Sequence, residues 1–300
     1  MIFSKILQGA MAIAIVSGSF VVSPVPVFAQ SDTAEAAKRR VNLAGRQRML
    51  SQRMSKDACF VFAGVETERH LEELSATMAL FTETNEALRY GSEALGLPEE
   101  VHLPVIAGLV DVTKDWEGLR PRMQGILDGT ALDAENVAGI NAAGLVLLAD
   151  MNSTVGLIAS SYGEKIEDLP LILAITIDLA GRQRMFTQRM AKDFCLVDAG
   201  VDVEASRADL AETRQYFNAT LDALMVGFAG AVIPPPNAEI ADKLQEVKDL
   251  WLGPDTVLAA VADGAAVSDA DRRIIVDGIE KVLVAMNEAV NLYEKVTELP

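Results

Sequence analysis

Aromatic residues make up only 5% of this 300-residue chain, cysteine and histidine occur twice each, and the 26 basic residues are outnumbered by 43 acidic ones. Each shortage closes off a class of function. A formal charge of −17 disfavours binding to a phosphate backbone, so nucleic acid is not an expected partner. His70 and His102 have no motif-spaced partners, and the 11 methionines fall mostly at core spacing, so no metal is expected. The sequence has no Ser/His/Asp set, glycine-rich phosphate loop or paired Cys/His, so neither an enzyme nor a cofactor is expected. Half of the residues are apolar, which excludes a disordered chain. With few aromatics and abundant Ala, Leu, Val, Met and Glu, helix is favoured over sheet and the fold class is all-α.

Residues 1–29 hold one base, Lys5, and no acid. An apolar stretch runs from Gly9 to Val22, followed by Pro24, Pro26 and Val27-Phe28-Ala29. This is the layout of a cleavable secretory signal with cleavage after Ala29. The apolar core is shorter than the roughly 20 residues a membrane span needs. No later segment has 18 consecutive apolar residues, so no transmembrane span is expected after cleavage. The expected location is the periplasm.

The rest of the chain repeats itself. Val41–Val61 recurs as Ile177–Val197 with 14 of 21 positions identical at an offset of 136. The echo continues through Ala63-Gly64-Val65 and Ala199-Gly200-Val201, then Phe81 and Phe217. Trp116 pairs with Trp251, and Met151-Asn152 with Met286-Asn287, at offset 135. A duplication therefore covers nearly the whole exported chain, with domains expected at 30–167 and 168–300.

Apolar spacing and breakers predict four helices per copy, at about 33–63, 67–95, 100–128 and 134–166, then 170–199, 203–229, 237–263 and 269–298. Asp133 and Ser268 are expected N-caps. Two tandem antiparallel four-helix bundles follow. In an up-down bundle the fourth helix ends where the first began, and the break around Gly163–Pro170 is too short to reach the far end. The first helices of the two copies are thus expected side by side and parallel, packed as a pseudo-twofold dimer inside one chain.

On a helix, Gly45, Arg48, Gln52, Ser55 and Cys59 fall on one stripe, and Gly181, Arg184, Gln188, Ala191 and Cys195 form its copy. A packing seam is normally apolar, yet here it carries an arginine one turn after a glycine. Gly45 and Gly181 would allow close helix approach while Arg48 and Arg184 converge on a small oxyanion. Two facing buried guanidinium groups need an anion or neighbouring carboxylates to balance them. Arg46, Arg53, Arg182 and Arg189 lie off the stripe and are expected to pair with Asp or Glu. Cys59 and Cys195 share the stripe, which leaves either a disulfide across the pseudo-axis or two buried thiols.

The pattern Asn/Asp-x-Ala-Gly-x-x-Arg-Met-x-Ser/Thr-x-Arg, present in both copies, resembles the motif of PilJ-type, NarX-like periplasmic sensor domains. These occur in nitrate/nitrite sensor kinases and at the N-terminus of type IV pilus chemotaxis transducers. The run Gly-Arg-Gln-Arg-Met-Leu-Ser-Gln-Arg is closer to the transducer branch. The resemblance implies a nitrate- or nitrite-like anion between the two first helices, held by Gly45 with Arg48 and Gly181 with Arg184. It also implies a membrane sensor kinase or chemoreceptor as partner. The copies differ at one motif position, where Asn42 is matched by Asp178, and a carboxylate there weakens anion binding unless it is itself paired. Two functions follow: a freestanding exported anion-sensing protein, or an adaptor docking onto a membrane sensor or pilus component, with the arginines serving the fold.

Overall fold

The structure is a computed structural model that describes residues 34–163 and 171–296. The leader, its cleavage point, the break before Pro170, the boundary at 167–168 and the last four residues lie outside the described residues. Eight helices are described: α1 (Ala34–Ala63), α2 (Thr67–Tyr90), α3 (Leu103–Leu127), α4 (Ala134–Gly163), α5 (Leu171–Asp198), α6 (Val203–Val226), α7 (Ala238–Ala262) and α8 (Asp269–Glu294). The fold is all-α, with α1–α4 and α5–α8 forming two four-helix bundles.

The most extensive packing joins the bundles through α1 and α5. These helices run parallel and in register: Asn42 meets Arg184, Asp178 meets Arg48, and Cys59 meets Cys195. Both are wrapped by other helices, α1 by α2, α4 and α5, and α5 by α1, α6 and α8. That position explains why α1 and α5 bury polar side chains that a surface helix would hold in water, among them Gln47, Gln52, Lys56, Gln183 and Lys192.

Each bundle is pinned by the same aromatic pair. Trp116 packs on Phe81 with centroids 5.0 Å apart, and Trp251 on Phe217 at 4.3 Å. The indole N–H donates to Thr82 Oγ1 in the first case and to Asn218 Oδ1 in the second, so both buried donors are satisfied. Burying side chains of this size contributes roughly 2–3 kcal/mol each.

The second helix of each copy is shorter than apolar spacing predicts. α2 stops at Tyr90 because Gly91 adopts φ 81°, and a Cβ there would sit 2.8 Å from the Glu99 nitrogen. Gly227 repeats this at the end of α6 with the same φ. In both copies the chain then turns through a short bridge, Ser92 to Leu97 and Phe228 to Val232. Apolar periodicity carries through these turns, whereas the glycine geometry ends the helix. α3 begins at Leu103 rather than near residue 100, with Pro104 in its first turn. Ser268 forms a reciprocal capping box with Asp271, and the Asp133 carboxylate accepts from the Asn136 N–H at 2.7 Å.

By length and apolarity α4 would pass as a membrane span. It is a core helix of its bundle: Ile140, Leu147, Met151, Val155 and Ile158 are buried, and it packs against α1 and α3.

Candidate functional site

Glycine brings the two arginines of the motif together. A Cβ on Gly45 would lie 3.3 Å from Arg48 Nη2 and 3.7 Å from Arg184 Nη2, and one on Gly181 would lie 3.4 Å from Arg184 Nη2 and 3.7 Å from Arg48 Nη2. Each guanidinium group therefore occupies space beside both glycines, at the seam of α1 and α5. Both side chains are fully buried. Gly45, Arg48, Gly181 and Arg184 converge on one place.

Their partners differ. Arg48 donates from Nη2 to Asp178 Oδ1 at 2.6 Å, and Arg182 Nε holds the other oxygen of that carboxylate at 3.0 Å. Burial pulls the Arg48 pKa down, and Asp178 opposes the shift. For Asp178 burial acts to raise the pKa, but Arg48 and then Arg182 outweigh it and hold the carboxyl below its ordinary range. On the Arg48 side, two guanidinium groups share one carboxylate.

Arg184 meets no carboxylate at ion-pair distance among the described residues. It donates from Nη2 to Asn42 Oδ1 at 2.9 Å and the Asn42 carbonyl at 3.2 Å, and from Nη1 to Asn287 Oδ1 at 2.9 Å. Burial, with Arg46 and Arg48 nearby, pushes its pKa down to about 9. Desolvation is the largest cause, and for Arg184 the two neighbouring guanidinium groups add to it where Asp178 opposes it for Arg48.

Beside Arg184 a cleft of about 240 Å³ opens between α1 and α8. Arg39, Asn42 and Arg46 line it from α1, and Asn287, Asn291 and Glu294 from α8. Glu294 bridges Arg39 at 3.1 Å and accepts from Asn42 Nδ2 at 2.5 Å. Among the described residues Arg46 makes no ion pair; it donates to Thr84 Oγ1 at 3.0 Å, and its Nε is buried with no partner there. This corrects the expectation that Arg46 pairs with an acid. Arg53, Arg182 and Arg189 do so, with Glu73 and Glu280, with Asp178, and with Asp209. Three guanidinium groups thus face one carboxylate around a space open to solvent.

The sequence matches the family described as type IV pili methyl-accepting chemotaxis transducer, N-terminal (PilJ), over residues 29–143 and 173–274. The chain belongs to the PilJ family. Its two matched segments are the two repeats, and the family is one of sensory transducers. No curated protein matches the chain.

The two PilJ copies are joined covalently as well as by packing. Cys59 on α1 and Cys195 on α5 form a disulfide, with Cα atoms 6.1 Å apart, and it links positions 136 residues apart in sequence. They are also joined by charge. Lys56, nearly fully buried on α1, reaches Glu280 of α8 at 2.8 Å and Glu73 of α2 at 3.2 Å, and Arg53 meets both acids at 3.1 and 3.3 Å. Among the described residues the counterpart Lys192 forms an ion pair with Asp193 alone, at 3.1 Å; the α4 position matching Glu280 is Leu145. Burial, outweighing Lys192, pushes the Asp193 carboxyl up to about 6.

Asp57, His70 and Glu73 also stand close enough to hold a metal ion. The Lys56 ammonium already lies 3.2 Å from both carboxylates, so a protein cation occupies the place a metal would take. His70 Nδ1 donates to the Asp57 carboxylate at 2.9 Å and its ring stacks on Phe60, a buried structural role.

Sequence reasoning did not reach Arg39, Asn287, Asn291 or Glu294 as cleft residues. Asn287 carried a signal, since Met286-Asn287 repeats Met151-Asn152. Nothing in the sequence pointed to Asn291 or Glu294, because their counterparts are Gly156 and Ala159.

Proposed function

We propose that this PilJ-family protein is an exported, non-enzymatic receptor for a small oxyanion of the nitrate or nitrite type. In this reading it signals its occupancy to a membrane sensor kinase or chemoreceptor. The observation that carries the proposal is Arg184: a buried guanidinium whose hydrogen-bond partners among the described residues are amide and carbonyl oxygens, beside a cleft that two more arginines line. An unbalanced buried charge is costly, and a bound anion removes that cost while gaining charge-assisted hydrogen bonds. The acidic surface does not prevent this, because a cleft focuses the local field of its own residues. Export to an oxidising compartment is supported by the leader sequence and by the Cys59–Cys195 disulfide.

The test is thermal unfolding of residues 30–300 with and without millimolar nitrate, nitrite, chloride and sulfate, for the wild type and Arg184→Ala. An anion at about 100 times its Kd stabilises the native state by about 2.7 kcal/mol, a rise in midpoint of roughly 5–10 °C for a domain of this size. The receptor reading requires such a shift with at least one oxyanion and its loss in the variant. No shift with any anion leaves the adaptor reading, in which the arginines serve the fold.

A further inference from the structure

The pseudo-twofold relation between the copies is broken at the arginines, and the way it is broken assigns different tasks to the two halves. Around Arg184 the cleft residues are Arg39, Asn42, Arg46, Asn287, Asn291 and Glu294. The matching positions around Arg48 are Ile175, Asp178, Arg182, Asn152, Gly156 and Ala159. One asparagine survives on both sides, since Asn152 Oδ1 accepts from Arg48 Nη1 at 3.4 Å much as Asn287 does from Arg184. The cation Arg39 has become an apolar side chain, and Asn42 has become a carboxylate.

We infer that the protein takes its anion on the Arg184 side alone, and that Asp178 is a tethered counter-anion that permanently fills the Arg48 side. This deepens the receptor reading and rests on it. The Asp178 carboxylate presents two oxygens to Arg48 and Arg182, the arrangement a bound oxyanion would adopt. On the other half Asn42 supplies one amide oxygen and no charge, so Arg184 keeps an unmatched charge. The Nε atoms of Arg48 and Arg184 are both buried without a hydrogen-bond partner, so the two sides differ in the carboxylate that, among the described residues, only Arg48 meets. The occupant is a small oxyanion with several acceptor oxygens. Glu294, bridging Arg39 and Asn42, is the carboxylate among the residues lining this cleft and so the group an entering anion would face with like charge.

The duplication makes this arrangement accessible. In a symmetric dimer of identical bundles, any residue at position 42 would face both arginines alike. Fusing two copies into one chain lets Asn42 and Asp178 diverge, so one half can be a fixed electrostatic template while the other stays open. The predicted stoichiometry is one anion per chain.

The experiment exchanges the two residues and reads binding by isothermal titration calorimetry on the purified chain, with nitrate, nitrite and sulfate as probes and far-UV circular dichroism to confirm helicity. In the wild type, one oxyanion binds per chain. Asn42→Asp gives Arg184 the partner Arg48 already has, and should lower affinity by about tenfold or more while the protein remains helical. Asp178→Asn should open the Arg48 side and raise the stoichiometry from one to two. If Asn42→Asp binds as the wild type does, or Asp178→Asn still binds one anion, the one-sided assignment is wrong. In that case loss of binding in Arg184→Ala still upholds the receptor reading. If the wild type binds none of the three probes, both the assignment and the receptor reading are wrong.

Discussion

Asp178 Oδ1 stands 2.6 Å from Arg48 Nη2, while its counterpart Asn42 offers Arg184 an amide oxygen at 2.9 Å. One atom exchanged between two otherwise equivalent positions turns one buried guanidinium into half of an ion pair and leaves the other with its charge unmatched. The energetic consequences of the two arginines should therefore differ, although their sequence surroundings are nearly the same.

Arg48→Met should destabilise the protein more than Arg184→Met. Losing Arg48 leaves the Asp178 carboxylate, with its side chain 16% exposed, dependent on Arg182 alone. Removing one partner of a buried pair costs about 3–5 kcal/mol, and the remaining Arg182 contact should bring this to about 2–3 kcal/mol. Arg184→Met removes an unpaired charge and leaves two amide oxygens without a donor, so the opposing effects should hold the change within about 1 kcal/mol. Chemical denaturation without added anion compares the two. Equal losses would mean that the fold treats both arginines alike.

Anion binding should weaken as pH rises through about 9. In the free protein the Arg184 guanidinium has its pKa lowered to about 9, so above that pH the empty site loses the charge that attracts the ligand. The sign follows from linkage: binding an anion favours the protonated form, so the complex takes up a proton at high pH and its apparent affinity falls about tenfold per pH unit beyond the free-state pKa. An arginine of ordinary pKa would show no such fall below pH 12. Calorimetric titrations at pH 7, 9 and 10 make the comparison.

The disulfide should matter for stability because it ties the ends of a long loop. Cys59 and Cys195 are 136 residues apart, and closing a loop of that length restricts the unfolded chain by about 4–5 kcal/mol in the chain-entropy account. The double variant Cys59→Ala/Cys195→Ala should unfold at lower denaturant, and adding a reductant to the wild type should have the same direction of effect. A variant with an unchanged midpoint would show that α1–α5 packing holds the copies together without the covalent link.

Glu280→Leu should uncouple the second copy's last helix from the first copy's first. The substitution reproduces the residue found at the matching position, Leu145, and removes one carboxylate from Lys56 and Arg53 while leaving Glu73 and Asp57. A loss of about 2–3 kcal/mol is expected for a buried lysine deprived of its shortest contact. A loss below 0.5 kcal/mol would indicate that Glu73 and Asp57 are sufficient.

Much of the architecture could be read from residues. The repeat, the eight helices and the parallel placement of α1 beside α5 followed from identities at a fixed offset, from breakers, and from the shortness of the connection between copies. Helix ends were less accurate where a glycine turned the chain while apolar residues continued, as at Gly91 and Gly227. For the site, Gly45, Arg48, Gly181 and Arg184 were visible because helical spacing alone places them on one stripe. The pairings were not. That Arg46 faces Thr84 of α2 follows from how α2 lies against α1, and that Glu294 closes a cleft and Glu280 crosses to Lys56 follows from how α8 lies against α1; no local pattern encodes either. The Asn42/Asp178 difference was legible as an asymmetry, but only the structure shows that the aspartate is paired with Arg48 and Arg182, while the partners of Arg184 among the described residues are amide and carbonyl oxygens.

The most direct test is anomalous diffraction from crystals of the chain grown with bromate, a small monovalent oxyanion whose bromine atom can be located by its anomalous signal. The account predicts one strong peak within hydrogen-bonding reach of Arg184, in the cleft between α1 and α8, and none at Arg48, where the Asp178 carboxylate stays in place. A peak at Arg48 with Asp178 displaced, or no peak near either arginine, would contradict it.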